Sequence, residues 1–440
     1  MMEPEDRLPD SRWNPGTYWV MTCRVGFEAE LALEASAAGW NPPFGQGVPD
    51  SGVGWRAWNF PTPEAEAGAR ALPPFIFERQ RLLRAQYVPL AEKKAGTPGR
   101  KPTPAGAPEG MDLEALSVAA LLGSVRETLV AAPRPWTLHV YTPDPASGHI
   151  PQRRVDYLAR RIAEKTKDVL GEALSTASTS QAVHHGTVWQ VCLVERGLWH
   201  SVMPASELSH PHPGGVHALR RDDAAPSRSN LKLEEALLLL GVAPRAGERV
   251  VDLGAAPGGW SYACLRRGAD VLAVDNGPLR IETPGELPGK LTHVRQDGLG
   301  YVPPPEWRPV DWLLSDMLVA PGECLGLLRR WLGGGGCRRF VVNVKLPQKQ
   351  PLVALRPILS FLQGLEGGHW RMRQLFHDRR EVTLMGEGLS PGALQKPGTS
   401  IPELQGRAVE RPLQDVKAKS RSHKGKARLS ARSGPKRKGK

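Results

Sequence analysis

Residues 227–390 are predicted to form an α/β, Rossmann-like domain with a mostly parallel sheet, and three observations carry that prediction. Six apolar segments, RVVDL, DVLAVD, LTHVRQD, VDWLLSD, RFVVNVK and EVTLM, recur between helix-like stretches. That alternation builds a parallel sheet covered on both faces. The first segment runs into a glycine-rich turn, VDLGAAPGGW at 251–260, and then into the helix-like SYACLRRG. Glycines there permit positive φ and close approach of a ligand, which a helix start just beyond the turn would favour. Four of the strands end in or next to a charged residue, Asp275, Asp297, Asp316 and Lys345, at the carboxyl edge where open α/β sheets bind their ligands.

Ahead of this domain the pattern is α+β. Residues 14–90 alternate strand-like and helix-like pieces, TYWVMTCR, FEAELALEASAAG, GWRAWNF and FIFERQRLLRAQYV, which makes 1–90 a first unit. Residues 91–111 are rich in Pro, Gly and Lys without apolar periodicity and read as a linker or loop. In a second unit, 112–226, a helical pattern over 112–132 precedes the strand TLHVYTP. An amphipathic, Arg- and Lys-rich helix over 153–174 and a hairpin around Gly197, VWQVCLVER with LWHSVMP, follow. The irregular His/Pro/Gly-rich segment 210–226 joins this unit to the domain at 227–390.

Composition narrows the class. A chain of 440 residues exceeds one ordinary core. Its five cysteines, Cys23, Cys192, Cys264, Cys324 and Cys337, are scattered without a C-x-x-C pair, so neither a disulfide framework nor a metal site is expected. No apolar run is long enough to span a membrane, and the acidic N-terminus MMEPEDRLPD is unlike a signal or transit peptide, so a cytoplasmic protein without membrane association is expected. Of the net charge of +13, eleven Lys and Arg lie in 417–440 with no acidic residue between them. The basic tail, 391–440, is expected to be disordered and to attract phosphates without sequence preference.

The loop at 254–259 lacks G-x-G-x-x-G and G-x-x-x-x-G-K-[ST], which argues against a dinucleotide or a phosphate-cradling site and leaves S-adenosylmethionine as the better cofactor. Asp275, twenty-one residues after Gly254, has the spacing of an acid that recognises a ribose hydroxyl. Trp260 reads as a core residue anchoring the following helix.

The order of SRSNLKLEEAL (227–237), VDLGAAPGGW, VDNGP (274–278), RQDG (295–298), SDM (315–317), NVKLP (343–347) and HDRREVT (377–383) resembles the FtsJ-like ribose 2′-O-methyltransferases. Within that family the chain is most similar to enzymes that methylate a cytidine ribose of 23S ribosomal RNA. CRVGFEAEL (23–31) and FERQ (77–80) extend the resemblance to the N-terminal part and imply a THUMP-type RNA-binding region. The resemblance implies in-line attack of a ribose 2′-oxygen on the methyl carbon of S-adenosylmethionine. It places the family's Lys-Asp-Lys-Glu tetrad on Lys232, Asp316, Lys345 and Glu381, with Lys345 as proton acceptor. A lysine can accept a proton only when partly neutral, and Lys232 is expected to repel charge on it, while Asp316 holds the base and Glu381 fixes a lysine or a ribose hydroxyl. By the same resemblance Ala256, Pro257, Gly258 and Gly259 form the cofactor loop, and Ser229 lies near the methionine moiety. Asp275 meets the ribose, Asp297 the adenine, and Asp316 serves both cofactor and catalysis. Ala256 stands where the enzymes of that most similar group have cysteine, and a small residue suffices there. Ribosomal RNA before full subunit assembly is the implied partner, with no protein partner evident.

Two other functions fit less well. RNA cytosine-5 methyltransferases share an AAPGG-like loop but need a cysteine directly after an acid-proline pair. Here DMLVAPGEC puts Cys324 eight residues beyond Asp316. A non-catalytic RNA-binding assembly factor would not need the complete set of four.

Overall fold

Strand β1 (Tyr18–Thr22), helix α1 (Glu28–Ala37), strands β2 (Ser51–Gly52) and β3 (Trp55–Asn59), helix α2 (Pro63–Arg70) and the long β4 (Gln80–Pro89) open the chain. The computed structural model describes residues 18–40, 51–60, 62–89, 118–170, 175–176, 181–282, 284–388 and 390–391. The expected linker at 91–111 and all of the expected tail, 391–440, except Pro391 lie outside them. Helix α2 starts at Pro63, whose missing amide costs nothing in a first turn, and the Thr62 hydroxyl accepts the Ala65 amide at 3.2 Å.

Helix α3 (Val118–Ala131), β5 (Trp136–Tyr141), α4 (Gln152–Leu170), β6 (Ser175–Thr176), β7 (Thr187–Val194) and β8 (Gly197–Pro204) follow. All of these strands form one eight-stranded sheet in the order β2-β3-β1-β4-β8-β7-β5-β6. The segments read from sequence as two units, 1–90 and 112–226, therefore share a backbone ladder. Strand β4 makes the join: residues Gln80 to Ala85 pair with β1 and residues Gln86 to Pro89 with β8. Within the β1 pairing the register shifts between Leu82 and Ala85, where Arg84 takes φ 50° and its guanidinium bonds Glu66 at 2.8 Å. Such a bulge inserts a residue and twists a strand from one partner toward the next.

A second sheet follows the connector. It is built from α5 (Asn230–Leu240), β9 (Arg249–Leu253), α6 (Gly259–Leu265), β10 (Asp270–Val274), β11 (Leu291–Val294), β12 (Val310–Ser315) and α7 (Pro321–Trp331). Strand β13 (Cys337–Lys345), α8 (Pro351–Gln363), β14 (Leu365–Glu366), β15 (His369–Arg373), β16 (Glu381–Glu387) and β17 (Ser390–Pro391) complete it, β14 and β17 pairing separately. The main order is β11-β10-β9-β12-β13-β16-β15, parallel except where β16 runs against β13 and β15 against β16. This is the Rossmann-like sheet expected, with one addition. Strand β15, HWRMR, lies at the sheet edge with only Met372 buried, so it lacks the apolar run by which the other strands are recognised.

Both faces are covered. Leu327, Leu328, Leu355 and Ile358 of α7 and α8 pack with Val342 and Val344 on one side. Leu233, Ala236, Trp260 and Cys264 of α5 and α6 pack with Val250, Trp312 and Leu314 on the other. Trp312, Leu313, Leu314, Val341 and Val342 are fully buried, which is why the central strands read as continuous apolar runs instead of alternating ones. Among the described residues no helix is long and apolar enough to cross a membrane, and no His/Cys/Asp/Glu group is arranged to hold a metal ion.

Candidate active site

Sheet register assembles three of the four expected chemical residues, and a helix supplies the fourth. Asp316 directly follows β12, whose last pair with β13 is Ser315 opposite Val342. Antiparallel β16 sets Lys345 opposite Glu381 and, two residues back on the same face, Asn343 opposite Thr383. An antiparallel strand is required here, because only then does its first residue lie at the carboxyl end of β13. Helix α5 brings Lys232 over this edge.

The contacts are direct. Lys345 Nζ donates to Asp316 Oδ1 at 2.6 Å and also to Glu381 Oε2. Lys232 Nζ lies 2.5 Å from Glu381 Oε1 and 3.4 Å from Asp316 Oδ2. Two lysines and two carboxylates thus form a closed alternating ring, with side chains from 7% to 19% exposed. Burial alone would lower Lys345, but the facing Asp316 and Glu381 carboxylates outweigh it and hold the ammonium above its ordinary pKa. Burial would likewise raise Glu381, and hydrogen bonds from Lys232 and Lys345 hold it below the usual carboxylate range instead. Repulsion of charge on Lys345 by Lys232 is the influence expected from the sequence. The two carboxylates reverse it, so in this geometry Lys345 is a charged donor.

Several supporting residues escaped sequence reasoning. Asn343 Nδ2 donates to Asp316 Oδ1 at 2.9 Å, and the Thr383 hydroxyl lies 2.7 Å from Asn343 Oδ1. Both side chains are buried within apolar strands; a polar residue between valines in VVNVK was the one available signal. Glu235, one helical turn after Lys232, accepts the Phe376 and His377 amides at 2.8 and 3.1 Å and His377 Nδ1 at 2.7 Å. From the N-terminal region, Arg24 donates to the Asp378 carbonyl at 2.5 Å, and the Arg79 guanidinium stands over the Phe376 ring. The turn before Glu381 is therefore gripped from both parts of the chain.

The glycine-rich turn lies between β9 and α6. Gly258 has φ 112°, and a Cβ there would stand 2.8 Å from Ile281 Cγ1. A Cβ on Gly259 would meet the Ser227 and Ser229 hydroxyls at 2.5 and 2.7 Å. Those hydroxyls are 2.6 Å apart, and buried Trp260 donates to the Ser229 carbonyl at 2.8 Å, tying helix α6 to the start of α5. Asp275 Oδ2 accepts the Ala256 amide at 3.0 Å and Oδ1 the Gly277 amide at 2.6 Å, so this acid braces the loop that contains Ala256 and Pro257. Asp297, beyond β11, is exposed and bonds the Leu299 amide of its own turn at 3.1 Å.

Asp252 in β9 is a further acid of this region that sequence reasoning missed. It is 1% exposed, and Ser261 donates to it at 2.6 Å. Burial foremost, with the charges of Asp316 and Asp275 adding, pushes its carboxyl up to about 7. Carboxylates and serine hydroxyls gathered around an open backbone turn could hold a cationic, adenosine-bearing methyl donor.

The raised Asp252 carboxyl has a stability consequence. An unfolded aspartate titrates near pH ~3.9, so below about pH 4 the residue is protonated in both states. Between there and about 7 the unfolded chain ionises first, and stability is lost as pH rises through that window. Asp252→Asn keeps an acceptor for Ser261 without the ionisation. It is expected to stabilise the ligand-free protein by about 1–4 kcal/mol at slightly alkaline pH and by little at about pH 4. Urea unfolding of both proteins across that range checks this, and equal midpoints at every pH would contradict it.

The FtsJ-like methyltransferase family matches residues 225–325. The ribosomal RNA large subunit methyltransferase M of Alkalilimnicola ehrlichii is 35% identical over 394 residues, covering 87% of this chain and 97% of the relative. The proteins of the same name from Laribacter hongkongensis and Azoarcus sp. are 44% and 41% identical over 185 and 183 residues. Those two alignments cover 40% and 39% of this chain and about half of each relative, 51% and 49%. Similarity that extends over nearly the whole of the first relative, together with the α/β domain that carries the ring of lysines and carboxylates, places this chain in the ribosomal RNA large subunit methyltransferase M family.

Proposed function

We propose that the chain transfers a methyl group from S-adenosylmethionine to the 2′-oxygen of a ribose in large-subunit ribosomal RNA, the acceptor being a cytidine of the 23S molecule. The observation that carries this reading is the Lys232–Asp316–Lys345–Glu381 ring at the carboxyl edge of the sheet. S-adenosylmethionine supplies an electrophilic methyl carbon on a positively charged sulfur. Ser229, Ala256, Pro257, Gly258, Gly259, Asp275 and Asp297 would hold it, with Asp316 at the border between cofactor and ring.

Lys345 Nζ is the acceptor of the ribose 2′-hydroxyl proton in this reading. The resting ammonium must first give up a proton, which its two carboxylates oppose. Lys232 favours that loss by binding the same two carboxylates from the other side, and Asn343 draws on Asp316 Oδ1. Glu381, held ionised between the lysines, fixes both ammonium groups so that a hydroxyl entering the ring finds one orientation.

The eight-stranded N-terminal region is the proposed RNA-binding part, of THUMP type, and the cytoplasm the proposed compartment. Ribosomal RNA is then met before the subunit is fully assembled. The experiment is methylation of 23S transcripts and of assembled large subunits by the purified protein, followed by mapping of modified nucleosides. A 2′-O-methylcytidine on the transcript is expected. A 5-methylcytidine, or no methyl transfer to either substrate, would overturn the reading.

Asp275→Ala is expected to weaken S-adenosylmethionine binding by about 1–3 kcal/mol, because it removes a ribose acceptor and frees the Ala256 and Gly277 amides. Turnover at saturating cofactor should change little, since the ring is untouched. Titration calorimetry decides, and unchanged affinity would place the cofactor elsewhere.

A further inference from the structure

The buried polar chain behind Asp316 ends on Asp378, and the direction of its hydrogen bonds can be worked out. Asp316 accepts ammonium protons from both lysines, so it is an acceptor toward Asn343 as well. The Asn343 amide must therefore point its Nδ2 at Asp316, which leaves its Oδ1 facing Thr383 at 2.7 Å. An amide oxygen cannot donate, so the single Thr383 proton goes to Asn343. Thr383 Oγ1 also lies 2.9 Å from Asp378 Oδ2 and 3.2 Å from Oδ1. With its proton already used, the hydroxyl can only accept there.

We infer that Asp378 is a neutral carboxylic acid that donates to Thr383 and thereby orients Asn343 and Asp316 beneath Lys345. All donors in this chain point one way: Asp378 to Thr383 to Asn343 to Asp316. Asp378, Thr383 and Asn343 are at most 1% exposed, so water cannot replace a missing proton. Oδ2 of Asp378 accepts the Leu375 amide at 2.9 Å, which leaves Oδ1 to carry the proton. The surroundings favour the neutral form: burial foremost and the Glu381 and Glu235 carboxylates raise Asp378 well above the usual range, against the Leu375 amide and the Lys232 ammonium. Arg24 touches its backbone carbonyl, not its side chain.

Asp378 is thus a positioning residue that works through Asp316. It couples the turn gripped by Arg24 and Glu235 to the ring. This inference rests on the reading of Lys345 and Asp316 as the reacting centre, but its central claim, the proton on Asp378, can be tested without methyl transfer. The infrared difference between wild-type and Asp378→Asn protein at neutral pH should contain a buried carboxylic-acid carbonyl band. Its replacement by a carboxylate band overturns the proposal, whatever the activity.

In kinetics, Asp378→Ala and Thr383→Val should each lower kcat by about 10- to 100-fold with KM for RNA changed less than about threefold. Asparagine offers an N–H donor to Thr383 and an acceptor to Leu375, so Asp378→Asn should recover most of the rate lost in Asp378→Ala. Rescue supports the neutral donor. Folded Asp378→Asn protein as slow as Asp378→Ala, or Thr383→Val with full kcat, overturns it.

Discussion

Lys345→Ala is expected to reduce methyl transfer by at least about 10²-fold in kcat while S-adenosylmethionine still binds within about threefold of wild type. The side chain ends β13 and hydrogen-bonds Asp316 and Glu381, which lie at the ends of strands other than the one leading into the glycine-rich turn. Removing it leaves Lys232 bridging both carboxylates, so neither acid is left without a cation. Lys345→Arg should be about as inactive, because a guanidinium keeps the charge and the hydrogen bonds but cannot be deprotonated. That pair of variants separates loss of a base from loss of a cation. Single-turnover transfer to a 23S transcript, with calorimetry for cofactor binding, gives both quantities. Near-normal turnover in Lys345→Ala would remove Lys345 from its proposed role, and activity in Lys345→Arg would show that positive charge alone suffices.

Much of the fold could be read from sequence because the central strands of a doubly wound sheet are bounded apolar runs. RVVDL, DVLAV and VDWLLS became β9, β10 and β12 within a residue or so of their expected ends. The polar residues at those ends could be located for the same reason, and the register of β12, β13 and β16 brings Asp316, Lys345 and Glu381 into contact. What could not be read depended on partners distant in sequence. Strand β15 has only Trp370 and Met372 on its apolar face, against His369, Arg371 and Arg373 on the other, and the shared N-terminal sheet turns on a single register shift at Arg84. Asn343 and Thr383 are cross-strand partners separated by forty residues, and nothing local to either marks the other. Asp252 is hidden in an apolar strand, where its raised carboxyl depends on burial by residues from other elements. The charge on Lys345 follows from two carboxylates against one neighbouring lysine, a balance of distances that motif order does not contain.

That balance makes Lys232→Ala the more informative variant. Lys232 contacts Glu381 at 2.5 Å and Asp316 at 3.4 Å, so its removal leaves two carboxylates facing the Lys345 ammonium alone. The ring passes from neutral to a net charge of −1 in its ionised form, and the full pull of both acids falls on one proton. Lys345, already above its ordinary value, must move further up, because an added net negative charge favours the protonated lysine. A base that holds its proton more tightly is available only at higher pH. The rate near neutrality should fall by about tenfold for each unit of that rise, and the acid limb of the kcat profile should shift toward alkali by about one unit or more. Part of the loss should therefore be recovered as pH is raised. If Lys232 served only to orient the acceptor ribose, kcat would fall by the same factor at every pH and the limb would not move. A profile of single-turnover rate against pH for the two proteins distinguishes these outcomes, and a parallel drop without a shift would assign Lys232 to substrate placement and leave the ionisation of Lys345 to some other group.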